Sequence, residues 1–316
     1  MTGLRVLVTG AGGAAGVAVV RHLAALGTFT AAVDSDPLAA GLFLADEHAV
    51  IGPACEPDDL VATLAEAVKR FEIDVVLCTV AEEMLALSGR EHEIDAVLWL
   101  PDRAAIELCL DKVRFSISMG AAGVPAPRCE PGADPALAAI AVPGPWIVKP
   151  RFGRGSRDVY AVDDASALRW ACGRVVDPIV QSRVSGREFT VDLLTDRGGG
   201  LVCAVPRWRL ETKAGISTKG TTFADDGVVQ LARRALEATG LCGAANLQGF
   251  VTDTGDYSVI EVNPRVSGGL SLSLAAGADL VLEYLRIAQD PLYRSRPLQF
   301  RAGTTMTRYL QEVILP

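Results

Sequence analysis

No stretch of this 316-residue sequence approaches the roughly 20 consecutive apolar residues that a membrane helix needs, although half of its residues are hydrophobic. Charges, glycines and prolines interrupt every apolar run, so no membrane partner is expected. The opening Met1-Thr2-Gly3-Leu4-Arg5 runs straight into an apolar segment and lacks the layout of a secretory leader. Positive charge is also in short supply, with 30 Lys and Arg against 38 Asp and Glu and a net charge of −8. That excludes nucleic acid as the main partner, because phosphate backbones are held by clustered basic residues. The cysteines Cys55, Cys78, Cys109, Cys129, Cys172, Cys203 and Cys242 are odd in number, scattered, and never form C-x-x-C. They read as reduced thiols of a cytoplasmic protein, not as a disulfide frame or a zinc site. The only histidines, His22, His48 and His92, fall in the first third, so no histidine base is expected among the later motifs. There is no low-complexity tract and no internal repeat, which argues against disorder and against a repeat array.

What is present alternates between strand and helix periodicity. Arg5 to Thr9 reads as a buried strand, Ala14 to Leu26 as a helix stopped by Gly27, and Thr30 to Val33 as a second strand. An amphipathic helix from Leu60 to Phe71 precedes a strand from Asp74 to Cys78, and Ala96 to Leu100 is another short strand. This alternation predicts an α/β unit on a parallel sheet. From about Pro143 the texture changes to strands joined by Gly- and Asp-rich turns: Trp146–Val148, Ile179–Val180, Phe189–Leu194 and Tyr257–Val262. That predicts an α+β unit with antiparallel pairs. The expected division is 1–92 and 93–316, with a mobile sub-unit between about 145 and 183.

Gly10-Ala11-Gly12-Gly13-Ala14-Ala15-Gly16 lies between the first strand and its helix, and Asp34 follows where a dinucleotide fold carries its ribose-binding acid. Such turns bring backbone N–H groups close to an anion at a helix start. They are equally the default for any sharp strand-to-helix turn. An NAD-binding oxidoreductase is therefore one reading, and the residues further along weigh against it.

Lys112 stands at a predicted helix start. Lys149 ends a strand and runs into Pro150-Arg151-Phe152-Gly153-Arg154-Gly155-Ser156, where an ammonium and mobile backbone donors can meet one phosphate chain. No Walker loop is present. Val180 to Asp192 reads as strand, turn and strand; the extended segment at the turn can offer backbone groups to an adenine edge, and Glu188 can accept from ribose hydroxyls. Gln248 follows Asn246-Leu247 on one strand, and Glu261-Val262-Asn263-Pro264-Arg265 lies on the next. With Asp253-Thr254-Gly255-Asp256 as the whole hairpin loop, Thr252 pairs with Tyr257 and Gln248 lies opposite Glu261. Glu261, Asn263 and Gln248 then converge as oxygen donors of the kind Mg²⁺ takes, with Mn²⁺ as an alternative. Arg265 comes next, where a transferring phosphoryl group needs compensating charge. Arg207, Arg209 and Lys219 flank the loop Ala214–Gly220 and suit a substrate carboxylate, while Glu82 and Glu83 suit an amine.

The order Lys112, Lys149–Gly155, Glu188, Gln248, Glu261-x-Asn263-Pro264-Arg265 resembles the ATP-grasp superfamily. It is most similar to the ATP-grasp half-units of the carbamoyl-phosphate synthase large chain and to free-standing carboxylate–amine ligases. The resemblance implies a Rossmann-like pre-ATP-grasp domain followed by an ATP-grasp fold with a mobile lid. It implies ATP as the nucleotide, with Lys112, Lys149, Arg154, Gly155 and Ser156 on phosphates, Ser182 to Val184 at adenine and Glu188 on ribose. It further implies Gln248, Glu261 and Asn263 on magnesium, Arg265 and Lys219 as catalytic residues, and Arg207, Arg209 and Ser267 on the substrate. In the synthase, arginines stand in place of Lys112 and Lys149, a Glu in place of Ser182, and a His in place of Ser217. A ligase joining a small-molecule carboxylate to an amine is therefore expected ahead of carbamoyl-phosphate-like chemistry or a non-catalytic nucleotide-binding protein. A homodimer is left open.

Overall fold

Val6, Leu7 and Val8 have no exposed surface on either side, the condition of a strand covered by helices on both faces of a parallel sheet. The computed structural model describes residues 3–153, 155 and 157–315, and in it these residues form β1 (Arg5–Val8). The chain continues through α1 (Ala14–Ala25), β2 (Phe29–Asp34), β3 (Glu47–Val50), α2 (Pro57–Arg70), β4 (Val75–Leu77), α3 (Ala81–Leu87) and β5 (Val97–Leu98). All four pairings are parallel, in the order β3-β2-β1-β4-β5. α2 starts on Pro57 with Asp58 and Asp59 in its first turn and ends on Lys69 and Arg70, charges that complement the helix dipole at both ends. Because β5 belongs to this sheet, the unit built on it runs beyond the expected boundary at residue 92.

α4 (Arg103–Leu110) and α5 (Lys112–Ala121) lead into a four-stranded antiparallel sheet. Its elements are β6 (Cys129–Pro131), α6 (Pro135–Ala141), β7 (Trp146–Pro150), β8 (Tyr160–Val162), α7 (Ala165–Cys172) and β9 (Pro178–Ser182), in the order β6-β9-β7-β8. It has a small core of its own around Ala138, Val142, Val148, Leu168 and Ala171. This sub-unit begins at Cys129, earlier than the expected 145, because β6 pairs with β9.

The third sheet holds β10 (Gly186–Thr195), β11 (Leu201–Lys213), β12 (Ile216–Thr222), β13 (Ala244–Thr252), β14 (Tyr257–Asn263) and β15 (Thr305–Thr307). Strand order is β14-β13-β10-β11-β12-β15, antiparallel throughout. α8 (Asp226–Thr239), α9 (Leu270–Ala275) and α10 (Leu280–Gln289) complete the chain. Side chains alternate along β10: Phe189, Val191 and Leu193 pack with Leu231, Leu236, Phe115 and Met119, which sends Glu188, Thr190 and Asp192 to the opposite face. That second face is polar and forms the floor of a cleft. β15 returns to cover the outer edge of β12, where Thr222 Oγ1 donates to Arg301 O at 2.7 Å. No described helix is long and apolar enough to cross a membrane.

Candidate active site

Strand register assembles the floor. Thr190 on β10 lies opposite Gln248 on β13 and Arg207 on β11, and Asp192 lies opposite Asn246. Gln248 in turn pairs with Glu261, and Asn246 with Asn263. The expected Gln248–Glu261 juxtaposition is therefore present, but not by the expected route. Val251, not Thr252, pairs with Tyr257, and an irregularity between Gln248 and Gly249 restores the alignment one step on. The hairpin closes with Thr252 N–H on Asp256 O at 2.7 Å, so Thr252 belongs to the turn's closing bond. At the irregularity only glycine fits: a Cβ on Gly249 would stand 2.6 Å from Ser258 O and 2.8 Å from the Phe189 ring.

Above this floor stand two lysines. Lys149, on β7, is 7% exposed, and burial first, then Lys112, holds its ammonium below the usual lysine range while Glu261 opposes that shift. Lys112 opens α5 directly after its cap, Asp111, whose carboxylate accepts from Val113 N–H and Arg114 N–H and binds Arg151 through two bonds of 2.9 and 2.6 Å. Lys112 Nζ donates to Gly153 O at 3.0 Å, which fastens it to the glycine loop. Burial alone would push the Glu261 carboxyl up, but Lys149, a 3.0 Å bond from Asn263 Nδ2, Lys112 and Arg265 together hold it below its ordinary value. Glu261 is thus an anion at neutral pH in a half-buried wall.

One continuous cleft of about 1830 Å³ joins these groups. Lys112, Lys149, Gly155, Ser182, Val184, Glu188, Gln248, Glu261, Asn263, Arg265 and Ser267 all line it. Ser182 spends its hydroxyl on Pro143 O at 2.8 Å and its N–H on Arg128 O at 3.0 Å, so both of its donors are engaged within the protein. Arg154 and Ser156, expected on phosphates, lie outside the described residues. The cleft also reaches Glu82 and Glu83 beyond β4, and Thr9 Oγ1 donates to Glu83 at 2.5 Å.

Three basic residues expected near a substrate separate in the structure. Lys219 does not line the cleft; it is half-exposed and pairs with Glu211 at 2.9 Å across the β11–β12 ladder. Arg207 lines the cleft but is 1% exposed, with Nε and Nη2 each 2.9 Å from the two Asp192 oxygens and Nη2 also 2.9 Å from Ser267 Oγ. Ser273 and Asn246 complete the bonds to Asp192. This buried network ties the floor together, and sequence reading missed it: Asp192 and Arg207 are partners only through the β10–β11 register. Arg207→Met is expected to lose roughly 3–5 kcal/mol of unfolding free energy, because Asp192 is left as an uncompensated buried charge. Urea unfolding measures it; a loss under about 1 kcal/mol would return Arg207 to the list of ligand-binding residues. Arg209 lies on the cleft floor between Glu188 and Gln248.

The first glycine turn also lines the cleft, but the N–H groups of Ala11 and Gly13 are spent on Val33 O and Gly10 O. Gly12 N–H is taken by Asp34 Oδ2 at 2.7 Å, and a Cβ on Gly10 would lie 2.4 Å from Val80 Cγ2. The acid expected on a ribose instead braces the turn. NADH should accordingly show no micromolar binding in a fluorescence titration; binding that disappears in Asp34→Ala would reverse this assignment.

Residues 174–310 match a family model described as ATP-grasp in the biosynthetic pathway with Ter operon. No curated protein sequence matches the chain. Among solved structures it is similar to biotin carboxylase from Campylobacter jejuni in a β-γ-ATP complex, with 19% identity, a TM-score of 0.75, and coverage of 94% of this chain and 74% of that one. It is similar to L-amino acid ligase from Bacillus licheniformis, with 16% identity, a TM-score of 0.71 and coverage of 90% and 73%. It is also similar to N5-carboxyaminoimidazole synthetase from Staphylococcus aureus bound to ADP, with 14% identity, a TM-score of 0.75 and coverage of 94% and 80%. The chain thus shares the fold of these solved structures, and its residues 174–310 match an ATP-grasp family model.

Proposed function

We propose that this protein is a Mg-ATP-dependent ligase that activates a small carboxylic acid as an acyl phosphate and joins it to an amine. The observation that carries this reading is the convergence of Lys149, Lys112 and Arg265 with Glu261, Asn263 and Gln248 in one cleft. Cations alone would suit any anion. Cations facing an oxygen-donor set suit a polyphosphate that arrives with a divalent ion. The solved neighbours whose names include β-γ-ATP, ADP and ligase are in keeping with that assignment.

Magnesium takes hard oxygen donors and keeps several water and phosphate ligands. Glu261 as an anion, with the amide oxygens of Asn263 and Gln248, fits that requirement. With few protein donors, the ion would complete its shell on phosphate and water oxygens. When bound, it supplies charge neutralisation at the transferring phosphoryl group.

The chain's own residues do the rest. Lys112 and Lys149 hold the phosphates, the Ser182–Val184 backbone meets the adenine edge, and Glu188 accepts from the ribose hydroxyls. Arg265 faces the γ-phosphoryl as a carboxylate oxygen attacks its phosphorus and ADP departs. The amine nitrogen then attacks the acyl carbon, phosphate leaves, and the amine proton passes to solvent or to a carboxylate such as Glu82 or Glu83. The small sheet of residues 129–182 acts as the lid, and its closure keeps water from the acyl phosphate. Incubation with Mg-ATP and pooled carboxylates and amines tests the assignment. Equal ADP and phosphate should appear with a product whose mass is acid plus amine minus water. No ADP from any pool, with no Mg-ADP binding by calorimetry, would remove the ligase reading.

A further inference from the structure

Arg209 holds an awkward position on the cleft floor. From β11 its Nη1 donates to Gln248 Oε1 at 2.7 Å and lies 3.0 Å from Glu188 Oε1, while Nη2 donates to Gly215 O at 2.9 Å. Its side chain is 6% exposed, yet Nε is buried without a hydrogen-bond partner. The hydroxyl of Thr190 is buried and unpartnered too. Thr190 sits on β10, the strand next to β11, and its side chain shares the floor face with Arg209. Arg207 offers the contrast, since its two bonds to Asp192 and one to Ser267 leave its position fixed. An unmade hydrogen bond in a buried site is destabilising, and at a ligand cleft it marks where a ligand atom belongs.

We infer that Arg209 is a placeholder in the ligand-free protein and the carboxylate-recognising residue in the nucleotide-loaded one. This rests on the proposed function, in which Glu188 takes ribose hydroxyls and Gln248 a metal ion. Gln248 has a single amide oxygen, and Arg209 already donates to it. A cation that claims Oε1 repels the guanidinium from the same atom, and ribose hydroxyls compete for the Glu188 oxygen. Mg-nucleotide thus removes both side-chain partners of Arg209. The released guanidinium keeps a planar fork that includes the unused Nε–H, a shape matched to a carboxylate, with the Thr190 hydroxyl on the same face as a further donor. Before the nucleotide binds, the acid has no free fork to meet. Binding is therefore ordered, nucleotide first, and the acid in turn tightens the nucleotide.

Because Arg209 competes with the nucleotide for Glu188 and Gln248, its removal should not weaken nucleotide binding. Calorimetry with Mg-ADP should give Arg209→Met an affinity equal to wild type or up to about tenfold tighter. Arg209→Lys keeps a charge but cannot span two acceptors, and should behave the same way. A crystal structure of the wild-type protein with Mg-ADP should show the guanidinium beyond hydrogen-bond reach of Gln248. An affinity about tenfold weaker in both variants would make Arg209 part of the nucleotide site and overturn the inference. So would Arg209 still on Gln248 with Mg-ADP bound, and either result leaves the proposed function standing. Wild-type protein that binds no Mg-ADP would overturn both.

Discussion

Lys149→Met is expected to lose ATP-dependent ADP formation by on the order of ten- to a hundredfold while melting close to wild type without ligand. A hydrogen bond to a charged group contributes roughly 1.5–3 kcal/mol, and each 1.4 kcal/mol is about tenfold in rate or affinity. Methionine keeps the length and apolar contacts of the stem, which separates charge from packing. Mg-ATP should raise the melting temperature of wild type far more than that of the variant, since ligand stabilisation follows affinity. A variant that melts several degrees lower and keeps its full ATP-induced shift would make Lys149 a structural lysine. The pH dependence adds a second reading. Burial and Lys112 hold the Lys149 pKa below 10.5, and bound phosphates favour the charged form. Mg-ADP affinity should therefore fall as pH rises through that lowered value, an alkaline limb that the variant lacks. Between the lowered value and 10.5 the unfolded chain binds more protons at this residue. Ligand-free wild type should thus gain stability over the variant as pH rises through that window.

Glu261→Gln should cost more, on the order of a hundred- to a thousandfold in ADP formation, because the one anion of the donor set is removed without a change of shape. Lys149 loses the partner that raises its pKa at the same time, so the cationic side of the site weakens with the anionic side. Steady-state ADP release measures the loss, and an unchanged melting curve establishes that the fold is intact. Glu261 is held below its ordinary value of 4.5, so nucleotide binding that depends on it should persist until pH falls below that point. Full turnover in the variant, or wild-type turnover in excess chelator, would remove Glu261 and the divalent ion from the reaction.

Much of the cleft's lining is legible in the sequence, and the residues that are not have a common cause. Glu261 and Asn263 were readable because a strand's period of two puts them on one face, and Lys149 because it ends an apolar run before glycines. β3 was not, since Glu47–Val50 is an exposed edge strand with no apolar alternation to betray it. The extra residue opposite Gln248 was invisible because nothing local distinguishes Gly249 from a turn glycine; its reason is the Phe189 ring on the neighbouring strand. Arg207 and Lys219 look alike in the sequence, both suited to a substrate carboxylate. Only the cross-strand partner decides, and Asp192 and Glu211 each claim one. The 1–92 division fell short for the same reason, as β5 joins its sheet by pairing with β4.

The short strand β15 has a practical bearing. An uncovered β12 would present a row of open backbone donors and acceptors to the nearest other chain. Thr305–Thr307 removes that opportunity, and Arg308 then reaches back to Ser217 O and Gly268 O, beside the cleft floor. A shortened version of the protein that stops after α10 would keep every residue assigned to the nucleotide. It would still gain a sticky border and a loosened Ser267–Gly269 turn. Expression trials that trim the tail should cut after Arg308, not before Arg301, if they are to yield a monodisperse sample.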